Sequence, residues 1–533
     1  MKNKAYPLYN DFPHLNTIRE MVEVHASLHP DHIAFKYPIT RKTTGQKSYL
    51  EVKEDMEGLG TYFYTHDLYD KHIAILGENC YEWLISYFTI TGGNNVAVPI
   101  DKDLQSKEVK RLIENSDTQC MIISDTYLDL IEGLELEIIP FSRVSELIEM
   151  GKEKLKEGNK AYLDYRINPN KLCSIFFTSG TTGKAKAVML SHTNIVNVVN
   201  QSCAMLHSDG GSVSVLPFHH TLGLIPAIFG VYNYGHPIYL TRSLRTLNKD
   251  LIEYKPHILF FVPLIVETFY SSIQKEIKKQ GKEIQVKRAM KISDLALKLG
   301  IDLRAKLFKE LLAPFGGELK VIICGGASLD EDLVKTFYSW GITILNGYGI
   351  TECAPVIAVN RNLYHKNNSV GLLLPEGKVK ISEEGEILYQ GNNVMMGYYK
   401  DEQETRNAII DGYYHTGDLG YIDQDHFLYL TGRKKNLIIL SNGENLSPEL
   451  LEEKIKMDQG VKEVIVYSEQ QKIKAMIYPK ETYLDQEDYF NELITRINHN
   501  EPAYKQISQI VLRKKEFIKN SSQKIIRDKI WEE

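Results

Sequence analysis

Alternation between helix-like and strand-like segments is the feature that most limits how this chain can fold. Residues 49–65 are helix-like, 72–77 form a short strand, 80–91 are helix-like and 95–100 form a strand. Helix-like 106–115 then precedes a strand at 119–124. Strands separated by helices pair in parallel, because each connection has to cross back over the sheet, so the predicted class is α/β. With 533 residues the chain exceeds what one core holds, and two or more domains are expected. Buried strands are also predicted at 257–262, 319–324 and 342–345. The last two run into Gly325-Gly326-Ala327-Ser328 and Asn346-Gly347-Tyr348-Gly349-Ile350-Thr351-Glu352. Loops at the carboxyl ends of parallel strands are where α/β sheets bind ligands. The charged run 151–160 is predicted to cross the surface, and the lysine-rich stretch 267–312 to form a solvated helical hairpin.

The pattern changes after Arg433. A short strand (437–440), a glycine turn (441–444), a helix (448–457), strands (461–467 and 473–478) and a helix (486–498) describe a compact α+β unit.

Composition excludes several classes. The net charge is −6 with no basic excess, which argues against nucleic acid as a partner. Six cysteines are scattered without a Cys-x-x-Cys pair, several within apolar runs, so reduced buried thiols are expected and a structural zinc site has little support. The polar stretch 1–20 has no apolar secretory region, and the longest apolar run, 258–266, is too short to span a bilayer and contains Pro263. A cytoplasmic enzyme without a transmembrane segment is expected, with peripheral membrane contact left open.

Directly after the apolar run 173–177 come Thr178-Ser179-Gly180-Thr181-Thr182-Gly183-Lys184-Ala185-Lys186. Glycines let successive backbone N–H groups turn toward an anion. Hydroxyls add donors and lysine adds positive charge. The loop reads as a polyphosphate cradle, the alternative being a plain flexible turn. It is not a Walker loop, because Gly180 and Gly183 are too close together and Ala185 stands where Ser or Thr is required.

Several such loops occur in a fixed order: 178–186, Gly325 to Ser328, Asn346 to Glu352, Tyr414-His415-Thr416-Gly417-Asp418-Leu419-Gly420, Thr431-Gly432-Arg433 and Gln523-Lys524-Ile525-Ile526-Arg527. Together, over nearly the whole chain, they resemble the adenylate-forming superfamily of acyl-CoA synthetases, amino-acid adenylation domains and luciferases. Asn79-Cys80-Tyr81-Glu82-Trp83, Leu216-Pro217-Phe218-His219-His220-Thr221, Phe315-Gly316-Gly317-Glu318-Leu319 and Ser441-Asn442-Gly443-Glu444-Asn445 make the chain most similar to long-chain fatty acyl-CoA synthetases.

The resemblance implies a large N-terminal adenylation domain (1–432) with mixed and parallel sheets flanked by helices. It also implies a hinge (433–436) at Lys435 and a small mobile α+β C-terminal domain (437–533). The implied reaction has two steps. A carboxylate attacks the α-phosphate of ATP to give acyl-AMP and pyrophosphate, and a thiol then displaces AMP. The implied acid is a medium- or long-chain fatty acid and the implied thiol is CoA. The phosphopantetheine of a separate acyl carrier protein is the nearest alternative, and a non-catalytic nucleotide or fatty-acid scaffold the more distant one.

By the same resemblance, Thr178, Ser179, Gly180, Thr181, Thr182, Gly183, Lys186, Gly326, Ala327, Ser328, Asn346, Gly347, Gly349 and Thr351 surround the phosphates and nucleotide. Tyr348 offers a face to adenine. Glu352, with the hydroxyl of Thr181, holds Mg²⁺, a cation suited to oxygen ligands. Asp418 accepts from the ribose hydroxyls, and Arg433 adds donors beside it. Lys524 bridges the incoming carboxylate and the α-phosphate. His220 lies beside the acyl carboxylate, and Gly443 and Glu444 belong to the thiol loop. No Asp occurs in 217–224, where amino-acid adenylation domains commonly hold an ammonium, which favours an acid without an α-amino group. Ala185, Ala187 and Gln523 depart from commoner family residues and put nucleotide affinity in doubt.

Overall fold

The computed structural model describes residues 7–40, 43–178, 185–241, 243–326, 329–439, 445–469, 472–519 and 525–532. The chain divides into two compact units. One comprises Met1–Lys378, Gln390–Tyr414 and Asp425–Phe427, and the other Val379–Tyr389, His415–Gln424 and Leu428–Glu533. The expected hinge at 433–436 thus falls within the second unit, which also takes in the strands immediately before it.

The first unit contains two sheets. In the seven-stranded one the order is Gly397–Tyr398, Lys186–Ser191, Leu172–Thr178, Val96–Ile100, His72–Leu76, Cys120–Ile123 and Glu137–Pro140. The last five run parallel, as the alternating pattern predicts, whereas Lys186–Ser191 is antiparallel to both its neighbours. The nine-stranded sheet is parallel through Ser212–Ser214, Ile258–Phe261, Val321–Cys324 and Thr343–Gly349, then turns antiparallel at Val356–Val359. Both sheets are mixed. The inner strands are buried apolar runs, as expected where helices cover both faces.

The helix Tyr49–Thr65 shows how the cover is made. Ser48 and Glu51 form a capping box that satisfies its first free N–H groups. Its buried face carries Val52, Met56, Leu59 and Phe63. It packs on Phe141–Lys156 backbone to backbone: a Cβ added at Gly151 would lie 1.8 Å from the Gly58 carbonyl oxygen. Gly151 itself is thus covered, while the charged residues that follow, 153–158, are mostly exposed, as the expected surface crossing requires. Gly151 is the last buried residue on a helix that covers the sheet.

In the second unit, Val461–Glu469, Lys472–Pro479 and Gln509–Leu512 form a three-stranded sheet. The helices Pro448–Lys456 and Glu487–Asn498 pack on it through Leu451, Ile455, Phe490, Leu493 and Ile494. All six cysteines are free thiols, five of them buried. Among the described residues no helix is long and apolar enough to cross a membrane.

Two measurements check this packing. Gly151→Ala is expected to cost about 1–3 kcal/mol, because the added methyl meets backbone rather than a movable side chain; an unchanged melting midpoint would show that the helices can separate freely. Acid is expected to weaken the fold through His25 and His192. Burial lowers both pKa values from 6.5 to about 4. His25 Nε2 lies 3.2 Å from Asn233 Oδ1, and His192 Nδ1 accepts from the Ile18 N–H at 3.3 Å. Both are neutral in the fold and charge more readily when it opens. Their contribution, up to about 3 kcal/mol each, is complete above pH 6.5 and lost as pH falls toward 4. Melting midpoints across that window should fall in the wild type and flatten in the His25→Gln/His192→Gln double variant.

Candidate active site

The segment expected to cradle a polyphosphate connects two antiparallel strands. Thr178 ends one and Lys186 begins the other, directly opposite each other in the register. Ser179, Gly180, Thr181, Thr182 and Gly183 lie outside the described residues, so the strand ends define the loop's base. Ala187, one of the departures noted above, is buried in the apolar cluster around Ile175, Val98 and Ile123, so its methyl is absorbed by the core. Lys186 points the other way. Its Nζ pairs with Glu404 and sits 4.9 Å from the centre of the Tyr398 ring.

Glu352 is carried by a short 3₁₀ turn, Thr351–Cys353, between the strands Thr343–Gly349 and Val356–Val359. The turn is held at several points. Ile350 N donates to Pro355 O at 2.8 Å, and Met395 N to Glu352 O at 2.8 Å. The Asn393 side-chain amide donates to both Cys353 O and Val356 O at 2.8 Å. Gly349 permits this closure, since a Cβ there would lie 2.0 Å from Pro355 O. The carboxylate is held as well: the Tyr398 hydroxyl donates to Glu352 Oε1 at 3.0 Å, and the Tyr414 hydroxyl lies 3.4 Å from that of Tyr398. Burial and the Glu352 charge push both phenol pKa values up, so both remain donors at neutral pH.

The other predicted residues of this unit fall around these loops. Gly325 approaches Leu222, in the short helix that follows His220, and the Gly347 carbonyl. Gly326 is in the left-handed region, and Ala327 and Ser328 lie outside the described residues. The Asn346 side chain donates to Asn367 O at 2.8 Å, and its carbonyl accepts from Asn360 N, so it ties the strand end to the following loop. Tyr348 is buried. His220 adjoins His219, with ring centres 4.3 Å apart, and His219 Nε2 lies 3.4 Å from Asp101 Oδ1. The loop bearing both histidines is braced by Asn79, which donates to Leu216 O and accepts from Phe218 N.

In the second unit, Asp418 and Arg433 face each other across an antiparallel pair, and Arg433 Nε donates to Asp418 Oδ1 at 2.9 Å. Asp418 is only 4% exposed. Lys434 pairs with Glu384 and Glu386, and Asn436 donates to Glu449. Lys435 between them has its pKa lowered by burial, with the Arg433 charge adding to the effect. Gly443, Glu444 and Lys524 lie outside the described residues. Arg527, three residues past Lys524, donates to both carboxylate oxygens of Glu452 and to Val466 O. Burial raises the Glu452 pKa and Arg527 opposes that shift.

Four residues escaped sequence reasoning. Tyr398 and Tyr414 belong to tyrosine-rich strings, Gly397-Tyr398-Tyr399 and Tyr413-Tyr414, that read equally well as core. Glu404 sits in an acidic helix start that looks solvated. Asp101 follows a buried strand directly, a position at which α/β sheets place functional groups, and that signal was available.

The geometry makes one demand on Tyr398. If its hydroxyl holds Glu352 for a cation–triphosphate complex, Tyr398→Phe should weaken Mg²⁺–ATP binding by about tenfold, the worth of one hydrogen bond to a charged group. Calorimetric titration measures this, and an unchanged affinity would leave Tyr398 a packing role alone.

Comparisons with known proteins give the family. Residues 22–399 match the AMP-binding enzyme family, and residues 435–533 match the AMP-binding enzyme C-terminal domain. A long-chain-fatty-acid–CoA ligase of Mycobacterium bovis is 26% identical over 424 residues, covering 74% of this chain and 70% of that protein. A chloroplastic long-chain-fatty-acid–acyl-carrier-protein ligase of Arabidopsis thaliana is 26% identical over 502 residues, covering 77% and 69%. Among solved structures, O-succinylbenzoate coenzyme A synthetase of Bacillus subtilis in complex with AMP superposes with a TM-score of 0.75 at 19% identity, covering 96% of this chain and 97% of that one, a likeness of fold. With a match that covers most of its length and a glutamate turn and lysine-bearing strand converging on Tyr398, the chain belongs to the AMP-binding enzyme family.

Proposed function

We propose that this protein is an acid–thiol ligase that activates a medium- or long-chain fatty acid with ATP and transfers the acyl group to CoA. The observation that carries the reading is Tyr398, which touches Lys186 and Glu352 at once. A cation for phosphate and a carboxylate for Mg²⁺ are thereby gathered on one side chain. The carboxylate of Glu352 suits a hard divalent cation, and with Thr181 it would hold Mg²⁺, which supplies charge neutralisation of the triphosphate.

In the first step a carboxylate oxygen bonds to the α-phosphorus and pyrophosphate leaves. Little covalent work falls to the protein, so positioning and charge dominate. Lys186 exchanges Glu404 for phosphate oxygens. Asp418 holds the ribose, and Arg433, already bonded to Asp418, keeps that carboxylate ionised and oriented. The ammonium of Lys524 bridges the incoming carboxylate and the α-phosphate. The bond from Arg527 to Glu452 anchors the chain just beyond it. In the second step the thiol sulfur bonds to the acyl carbon, AMP leaves and the thiol proton is released.

We place the hinge for passing between the steps at 433–436. Burial lowers the Lys435 pKa, with the Arg433 charge adding to the effect. The thiol loop with Gly443 and Glu444 would then take the place of Lys524. The absence of an aspartate in 217–224, next to His220, supports an acid without an amino group, and the fatty-acid ligases among the relatives support the chain length. We place the enzyme in the cytoplasm.

Fatty-acid-dependent ATP–pyrophosphate exchange tests the reading, and no exchange with any chain length would refute it. Lys524→Ala should lower exchange by about a hundredfold or more while conversion of supplied acyl-AMP to thioester persists. Equal loss of both half-reactions would contradict the two-orientation mechanism. A carrier-protein ligase among the relatives makes the acceptor a separate question. Turnover with free CoA should exceed turnover with an acyl carrier protein, and the reverse order would reassign the thiol.

A further inference from the structure

The helix Glu283–Lys298 has two unlike faces. Ser293 and Ala296 are buried, and Val286, Ala289 and Met290 pack against the cluster containing Phe337 and Trp340. The opposite face is also apolar, yet nothing among the described residues covers it. Ile284 is 66% exposed, Ile292 55%, Leu295 63%, and Leu299 at the helix end 72%. At 3.6 residues per turn these four fall within about 80° of one another. Lys287, Lys291 and Lys298 line one border of the stripe and Arg288 lies within it. None of the four makes an ion pair among the described residues. Residues 263–312 hold eleven lysines and arginines against six acidic residues, a balance of +5 in a chain of net charge −6.

A solvated hairpin, the expectation from sequence, would place polar side chains on this face. Large aliphatic side chains bordered by unpaired cations instead describe a helix that lies in a membrane interface, apolar side down, with lysines at the level of lipid phosphates. A second copy of the chain fits less well, since a two-fold contact would bring the lysine rows together. We propose that this helix docks the protein on an anionic phospholipid bilayer, with Ile284, Ile292, Leu295 and Leu299 entering the boundary between headgroups and acyl chains. The docking stands on the exposed face alone. Its value to catalysis rests on the proposed function, because a long-chain acid partitions into the same bilayer.

The experiment uses the full chain with vesicles of phosphatidylcholine alone or mixed with phosphatidylglycerol, read by co-sedimentation. Binding should rise about tenfold or more with the anionic lipid and fall as salt is raised. Leu295→Glu/Leu299→Glu should lose it by a similar factor, and Lys287→Glu/Lys291→Glu should lose the preference for phosphatidylglycerol. All four substituted positions, Lys287, Lys291, Leu295 and Leu299, are exposed, and unchanged melting midpoints would confirm that both variants fold. Wild-type protein that ignores anionic vesicles, or a leucine variant that binds as wild type does, would overturn the proposal. So would a wild-type dimer that the leucine variant converts to monomer without any vesicle binding. Exchange with a water-soluble medium-chain acid should be the same in wild type and both variants. Absence of exchange with every chain length in all three, with vesicle binding intact, would refute fatty-acid activation and leave the docking in place.

Discussion

One strand sets the register that seats Lys186 beside Tyr398. Lys186–Ser191 is antiparallel to Leu172–Thr178 on one edge and to Gly397–Tyr398 on the other. Main-chain hydrogen bonds place Lys186 opposite Thr178 and Val188 opposite Tyr398. A slip by one residue would turn every side chain of the strand to the other face. The lysine would enter the core and the tyrosine would leave Glu352. Because Val188 and Leu190 are fully buried, the apolar core enforces the register that the site needs.

Charged groups in both units are held before any ligand arrives. Glu352 is fixed through its backbone by Met395, through its turn by Asn393 and through its carboxylate by Tyr398. Asp418 is fixed by Arg433, and Glu452 by Arg527 and the Val466 amide. Burying a carboxylate is costly unless it is paired and hydrogen-bonded, so each demands partners wherever the fold puts it. Those partners give rigidity as a by-product, and a rigid charge needs no reorganisation when substrate charge develops beside it. Lys186 differs, since its link to Glu404 lies on a half-exposed surface and is easily exchanged.

Much of the architecture was legible beforehand. The helix expected at 49–65 is Tyr49–Thr65, and the strands expected at 95–100 and 119–124 are Val96–Ile100 and Cys120–Ile123. These segments are strongly patterned and local. The glycine-rich loops were legible because a tight turn or a close backbone approach admits few residue types, as Gly349 shows against Pro355. The burial of Gly151 was not legible because the glutamates and lysines after it dominate the local pattern, whereas the bare backbone of Gly58 that receives it lies far away in sequence. The helical hairpin expected at 267–312 is present as Pro263–Lys279 and Glu283–Lys298, but periodicity shows that apolar residues recur, not which of two apolar stripes meets the core.

The sequence by itself determined the fold class and the family, and it singled out Lys186, Glu352, Asp418, Arg433 and Lys524 as candidates, because motif spacing along the chain is local information. Only the tertiary structure decided which of these share partners. Glu404 reaches Lys186 from 218 positions away, and Tyr398 joins Lys186 to Glu352. Nothing local marks Tyr398, since a tyrosine between a glycine and another tyrosine serves equally well in a core. Its role comes from the sheet edge that seats it beside a lysine and a glutamate, and such pairings between distant segments exist only once the strands have paired.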